Sequence, residues 1–210
     1  MTKKQRYEAA RNTFDMLYPD AECSLQHADA WPLLVSAILA TQCTDKRVNM
    51  VTPALFERYP DVYAFAEADE LEVQGYIRST GFYNNKAKNI VASARMLRDI
   101  YGGNVPDEIE LLTALPGVGR KIANLVVGDI FGKPAVVVDT HAKRITYRLG
   151  LTKNTDPTKI EFDLRKIIPP QEGARFCHQL VLFGRDVCVA RGPRCAECAM
   201  REWCNGVESK

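Results

Sequence analysis

The chain has 210 residues, is 46% apolar and carries 28 Lys and Arg against 26 Asp and Glu, which leaves enough apolar surface for one large domain or two small ones. No apolar run approaches the length that spans a bilayer, and the opening MTKKQRYEAARNTFDML places Glu8 and Asp15 in a helical pattern instead of an apolar export segment. The expectation is a cytoplasmic protein that folds without disulfides. Charge is unevenly spread: residues 1–110 hold 12 basic and 16 acidic side chains, and residues 111–210 hold 16 and 10. A basic second half suits contact with phosphate, although such asymmetry also arises without function.

Residues 3–17 show a helical pattern ended by Pro19, and 31–42 is apolar nearly all round, as in a buried helix. Asp45 is placed to cap a helix reaching Tyr59, and short helices follow at 62–66 and 69–76. After the loop Ser79-Thr80-Gly81-Phe82-Tyr83, Asn84 is the expected cap of a long helix that Gly102 and Gly103 stop after Tyr101. Further helices are expected at 107–114, 119–131, 140–149, 157–168 with Asp156 as cap, and 172–183 closed by Gly184. The fold class is therefore all-α. Residues 134–139, Pro-Ala-Val-Val-Val-Asp, have strand composition. A lone strand has no partner, so this stretch is expected as buried extended chain that delivers Asp139 to the start of the next helix. The one compositional break is the Cys, Arg and Pro-rich tail after Val187.

Between two helical patterns lies Leu115-Pro116-Gly117-Val118-Gly119-Arg120-Lys121. Two glycines spaced by one residue permit a tight turn with positive φ, leaving backbone amides unshielded at a helix start, where anions bind. A bare G-x-G also describes an ordinary turn. The full string, followed by an apolar helix, is the helix-hairpin-helix signature, a motif that holds the DNA backbone without reading sequence. Lys121 falls in the first helical turn, where the macrodipole and an expected partial burial both favour the neutral, nucleophilic amine. Its alternative role is to grip a phosphate. Asp139, in Val138-Asp139-Thr140-His141, is the candidate partner for that lysine and equally a plain N-cap. His141 reads as a neighbour of the cap or as a phosphate contact.

Four of the seven cysteines fall in Cys188-x6-Cys195-x2-Cys198-x5-Cys204, while Cys23, Cys43 and Cys177 sit in apolar, core-like settings. In a reducing compartment such clustering argues for metal over disulfides. Zinc usually takes two close pairs, and only one C-x2-C exists here, so the spacing suits a [4Fe-4S] cluster somewhat better than zinc. Arg185, Arg191, Arg194 and Arg201 surround the loop. They either meet DNA phosphates or are simply solvated.

Taken in order, LPGVGRKIANLV, VVVDTH and C-x6-C-x2-C-x5-C resemble the endonuclease III family of DNA glycosylases. Upstream, Leu39-Ala-Thr-Gln-Cys-Thr-Asp45 resembles that family's glutamine-bearing loop, and Gly81-Phe-Tyr-Asn-Asn-Lys-Ala87 its wedge loop. The resemblance implies a six-helix barrel over 23–133, containing the helix-hairpin-helix, and an iron–sulfur domain built from 1–22 and 134–210. It implies Lys121 as nucleophile with Asp139 as its assistant. Gln42 would fill the gap left by an extruded base and Phe82 would wedge into the other strand. Gly117, Gly119, Arg120, His141, Arg144 and Arg191 would add backbone contacts to double-stranded DNA carrying a damaged base or abasic site. Cys188, Cys195, Cys198 and Cys204 would ligate a [4Fe-4S] cluster. The enzyme implied is a bifunctional glycosylase and lyase for oxidised pyrimidines, a monomer working in the cytoplasm at the nucleoid. Ala40, where serine is frequent, and Thr113, where some members are acidic, depart from the pattern and leave base preference open. The rival readings are a non-catalytic DNA-binding protein with a metal-bound tail, and a monofunctional glycosylase that activates water.

Overall fold

The computed structural model describes residues 1–206, and every regular element among them is helical. The all-α expectation holds. In chain order the α-helices are α1 (Lys3–Leu17), α2 (Ala30–Leu39), α3 (Asp45–Arg58), α4 (Val62–Ala66), α5 (Glu70–Ile77), α6 (Tyr83–Tyr101), α7 (Ile109–Thr113), α8 (Arg120–Asp129), α9 (Thr140–Arg148), α10 (Pro157–Arg165) and α11 (Gly173–Asp186). The chain divides into two compact units, Cys23–Phe131 and the pair of segments Met1–Glu22 with Gly132–Lys210. Residues 207–210, the end of the expected iron–sulfur domain, lie outside the described residues.

Caps decide most helix starts. Thr2 and Gln5 form a reciprocal capping box on α1, with Gln5 N donating to Thr2 Oγ1 at 3.2 Å and Thr2 N to Gln5 Oε1 at 2.9 Å. Asp29 caps α2, and Asp156 caps α10 as expected. Three expectations are corrected. Thr44 caps α3, leaving Asp45 as its first residue, where a carboxylate favours the positive helix end. At α6 the cap position belongs to Phe82, not Asn84, and it has no side-chain hydrogen bond. Gly184 lies inside α11, which runs on to Asp186.

In the unit Cys23–Phe131, α6 is the central strut. Its buried face of Ala87, Ile90, Val91, Ala94 and Leu97 packs against α4, α5 and α2. Around Phe65, the rings of Trp31 and Tyr59 lie at 5.3 and 5.2 Å, distances at which aromatic pairs add to simple burial. The α2 helix, expected over 31–42, ends at Leu39 because the chain turns through Ala40 toward Gln42.

In the other unit, α1 packs on α11 through Tyr7, Phe14, Phe176 and Phe183, with centroid separations of 5.0 to 5.5 Å. The N-terminal helix thus shares a core with the C-terminal segment. Ala135 through Val138 are buried without forming a strand. The Val137 amide donates instead to Cys177 Sγ at 3.2 Å, so a side chain supplies a partner that a sheet would otherwise have provided. Cys177 is buried as expected, whereas Cys23 and Cys43 are only half-buried. Where α9 approaches α11, the absent side chain of Gly184 makes the room: a Cβ there would stand 2.3 Å from His141 Nδ1.

Candidate active site and nucleic-acid interface

Helices α7 and α8 pack together as the arms of the hairpin, with Leu115 and Val118 buried between them. Val118 N closes the turn on Leu115 O at 3.1 Å, and Ser93 Oγ of α6 donates to Pro116 O at 2.8 Å. Gly117 has φ +77°, and its missing Cβ would lie 2.8 Å from Asn89 Nδ2, so glycine is required twice over. Gly119 differs from the expectation of positive φ. It is the α8 cap residue, with extended backbone at φ −93° and ψ 171°, and makes no side-chain cap. The first amides of α8 therefore have no capping side chain across them. Arg120 opens the helix, half-buried, and Lys121 follows it.

Lys121 is exposed at the start of α8, so the partial burial expected of it is absent. Its side chain makes no hydrogen bond or ion pair with another described residue. Thr113, at the end of α7, turns its hydroxyl onto Glu110 O at 3.0 Å.

Gln42 and Phe82 share a property that no sequence pattern announces. Among the described residues they are the two non-glycine positions with positive φ, at 54° and 50°. Both are exposed, Phe82 to 63%. A large aromatic held in left-handed backbone and pointed away from the core costs free energy twice, and such costs concentrate at functional positions. Beside these loops, Lys86 is a buried cation that sequence reasoning passed over. The signal was present, since 86, 90, 93 or 94 and 97 recur on the apolar face of α6.

Asp139 caps α9, accepting from Ala142 N through Oδ1 at 2.7 Å, and is itself half-buried. His141 follows within the first turn. Burial holds its imidazole below the usual value, and the Arg144 and Arg185 charges add to this against the opposing pull of Asp139. Arg144 donates to Cys188 O from Nε at 3.1 Å and from Nη2 at 2.8 Å, and Nη2 also reaches Gly184 O at 3.2 Å. Its guanidinium thus fastens the start of the cysteine segment to α9 and α11. Arg191 is exposed on that segment.

Cys188, Cys195, Cys198 and Cys204 line one pocket together with Arg148, Leu149, Phe183 and Val187. Burial raises the thiols of Cys198 and Cys204 above the usual range, and the neighbouring cysteines raise them further. Arg148, also missed at the sequence level, donates from Nη1 to Cys188 Sγ at 3.2 Å and to Val189 O at 3.1 Å. Among the described residues the sulfurs share a pocket but are not drawn to a single coordination point. A four-thiol donor set without carboxylate or imidazole, walled by apolar side chains and by Arg148, Arg194 and Arg201, fits a cluster of negative overall charge.

A hairpin with an open helix start, two strained exposed loop residues and a four-cysteine pocket define a helix-hairpin-helix repair protein. The chain belongs to the HhH-GPD superfamily of base excision DNA repair proteins, whose profile matches residues 35–170. It is 48% identical over 209 residues to endonuclease III of Synechocystis, covering 99% of this chain and 95% of that one. It is 43% identical over 191 residues to endonuclease III of Bacillus subtilis, covering 90% and 86%. A solved endonuclease III–DNA covalent intermediate with an estranged adenine superposes with a TM-score of 0.93 at 40% identity, over 98% of this chain and 97% of that one. A thermostable thymine-DNA glycosylase at 23% identity shares the fold, with a TM-score of 0.86. The family likeness seen in the motifs is borne out, and with it the class of enzyme, a base excision repair DNA glycosylase and lyase.

Proposed function

We propose that this enzyme removes oxidised pyrimidines from duplex DNA, with Lys121 as the nucleophile and Asp139 as its proton acceptor. The observation that carries the reading is Lys121 itself: an exposed lysine, without a partner among the described residues, in the first turn of a helix whose amides lack a side-chain cap. The α8 amides and Arg120 take the phosphates flanking the lesion, with Gly117 and Gly119 allowing the backbone to come close. The damaged nucleotide swings out at a cost of a few kcal/mol, lower for a damaged base. Gln42 occupies the space it leaves, and Phe82 wedges into the opposite strand. The relative trapped as a covalent DNA intermediate with an estranged adenine supports a reaction that passes through an enzyme–DNA bond.

The Lys121 amine then attacks C1′ as the C1′–N bond breaks, and the base departs with the bonding electrons. Asp139 accepts the proton that the new secondary ammonium sheds and stabilises the positive charge developing on the sugar. The sugar ring opens to an imine between Lys121 and C1′, which acidifies the C2′ protons. Loss of one of them expels the 3′ phosphate by β-elimination, and hydrolysis of the imine frees the lysine. Arg144 and Arg191 add to the DNA-facing charge, and His141 adds a neutral contact to the DNA backbone.

Cys188, Cys195, Cys198 and Cys204 would hold a [4Fe-4S] cluster, whose contribution is to staple the C-terminal segment and present its arginines. No helix among the described residues is long and apolar enough to cross a membrane, and the proposed setting is the cytoplasm, on the nucleoid, as a monomer. Borohydride trapping during turnover tests the nucleophile. Wild type is expected to give a stable covalent DNA adduct and Lys121→Gln none. Base release without trapping in the wild type would favour activated water and return Lys121 to a phosphate contact.

A further inference from the structure

Lys86 lies in the first turn of α6 with only 5% of its surface exposed. Its Nζ donates to two backbone carbonyls, Leu39 O at 2.8 Å and Thr80 O at 2.9 Å. No carboxylate among the described residues pairs with it, and burial presses its ammonium toward the neutral form. Burying an amine on two neutral acceptors recovers only part of the desolvation cost, while an apolar side chain of similar length would fill the space but leave both carbonyls without this donor. Packing alone therefore does not account for a lysine here.

The two acceptors do. Leu39 is the last residue of α2, three residues before Gln42, and Thr80 ends a 3-10 turn two residues before Phe82. A single ammonium thus ties the roots of the two loops whose tips hold the left-handed residues. Strained backbone persists only where its surroundings over-determine it. Here the loops leave different helices and meet on one donor.

We propose that Lys86 is a positioning residue that fixes the spacing between Gln42 and Phe82, so that both enter a damaged duplex in a single event. The proposal rests on the gap-filling and wedging roles given to those two residues. Without the bridge, each loop still reaches DNA, but the entry of one no longer places the other.

The test is a double-mutant cycle on the full chain. Binding is measured to a duplex carrying a tetrahydrofuran abasic analogue and to the same duplex intact, for Lys86→Met, Gln42→Ala, Phe82→Ala and the doubles. Lys86→Met is expected to weaken binding to the lesion duplex about tenfold, with a much smaller loss on intact DNA, and the Lys86→Met/Gln42→Ala double is expected to lose little more than either single, as for coupled neighbours. Additive losses in the double, or equal losses on both duplexes, would overturn the proposal while leaving the loop roles intact. Gln42→Ala and Phe82→Ala singles with unchanged lesion binding would overturn both. A general loss of stability would not produce non-additivity confined to the lesion duplex. If Lys86→Met does not fold, Lys86→Gln, which keeps an amide donor, carries the same comparison.

Discussion

Separate replacement of Gly117 and Gly119 by alanine divides what the hairpin needs for folding from what it needs for binding. At Gly117 the backbone sits at φ +77°, where alanine costs about 1–2 kcal/mol. The new Cβ would also stand 2.8 Å from Asn89 Nδ2 and 2.9 Å from Asn89 Cβ. Because the second of these is the root of the asparagine and not its flexible end, α6 or the turn has to shift, adding about 1 kcal/mol. The sum is about 2–3 kcal/mol, or a melting temperature lowered by roughly 4–12 °C for a chain of this size. At Gly119 the extended backbone accepts any residue, and an added Cβ meets nothing within 4 Å. Alanine there changes only the cap, by about 0.5 kcal/mol. That empty space is the one a phosphate would use to reach the α8 amides. Gly119→Ala is therefore expected to melt within about 2 °C of wild type yet bind intact duplex about tenfold more weakly. Calorimetry and fluorescence anisotropy at fixed salt measure the two effects. Equal melting shifts for the two variants, or undiminished binding by Gly119→Ala, would refute the reasoning.

Asp139→Asn keeps an acceptor for Ala142 N and so is expected to preserve stability while slowing single-turnover base release by roughly 10² to 10⁴. Asp139→Ala should show the same slowing and lose about 1 kcal/mol besides; full activity in either variant would remove Asp139 from the chemistry. Cys198→Ser is expected to lose the absorbance band of a protein-bound cluster and loosen the C-terminal segment, with weaker DNA binding as the consequence, and unchanged colour together with unchanged salt-dependent affinity would count against ligation. His141 is held neutral below its usual 6.5, chiefly by burial. Its contribution is thus fully present above 6.5 and is lost as pH falls, because the unfolded chain protonates first. The melting temperature should drop between pH 7 and 5.5, less steeply in His141→Gln, and equal slopes for the two proteins would show that other groups set the acid limit.

Helix class and most helix positions were legible because caps and apolar periodicity act locally. Asp139 and Asp156 serve as caps by their own side chains as expected, and the cysteine spacing brings four thiols to one pocket. The errors arise where packing between elements overrides those local signals. Gly184 reads as a helix stop because glycine ends helices, yet it is kept inside α11 by the approach of His141 and Arg144, a long-range constraint that no window of sequence contains. Asn84 reads as a cap because its side chain suits one, but the helix begins two residues earlier, behind Phe82. Gln42 and Phe82 are the most instructive, because neither residue type favours left-handed backbone and nothing near them predicts it. Only the assembled structure shows that both are strained and exposed and that Lys86 joins their roots. Local preference is overruled where two loops have to present side chains to something outside the protein. Stability alone would select glycine or asparagine at both positions. That both departures from local preference fall in loops whose roots share the Lys86 donor argues that the loops are built for a partner entering between Gln42 and Phe82.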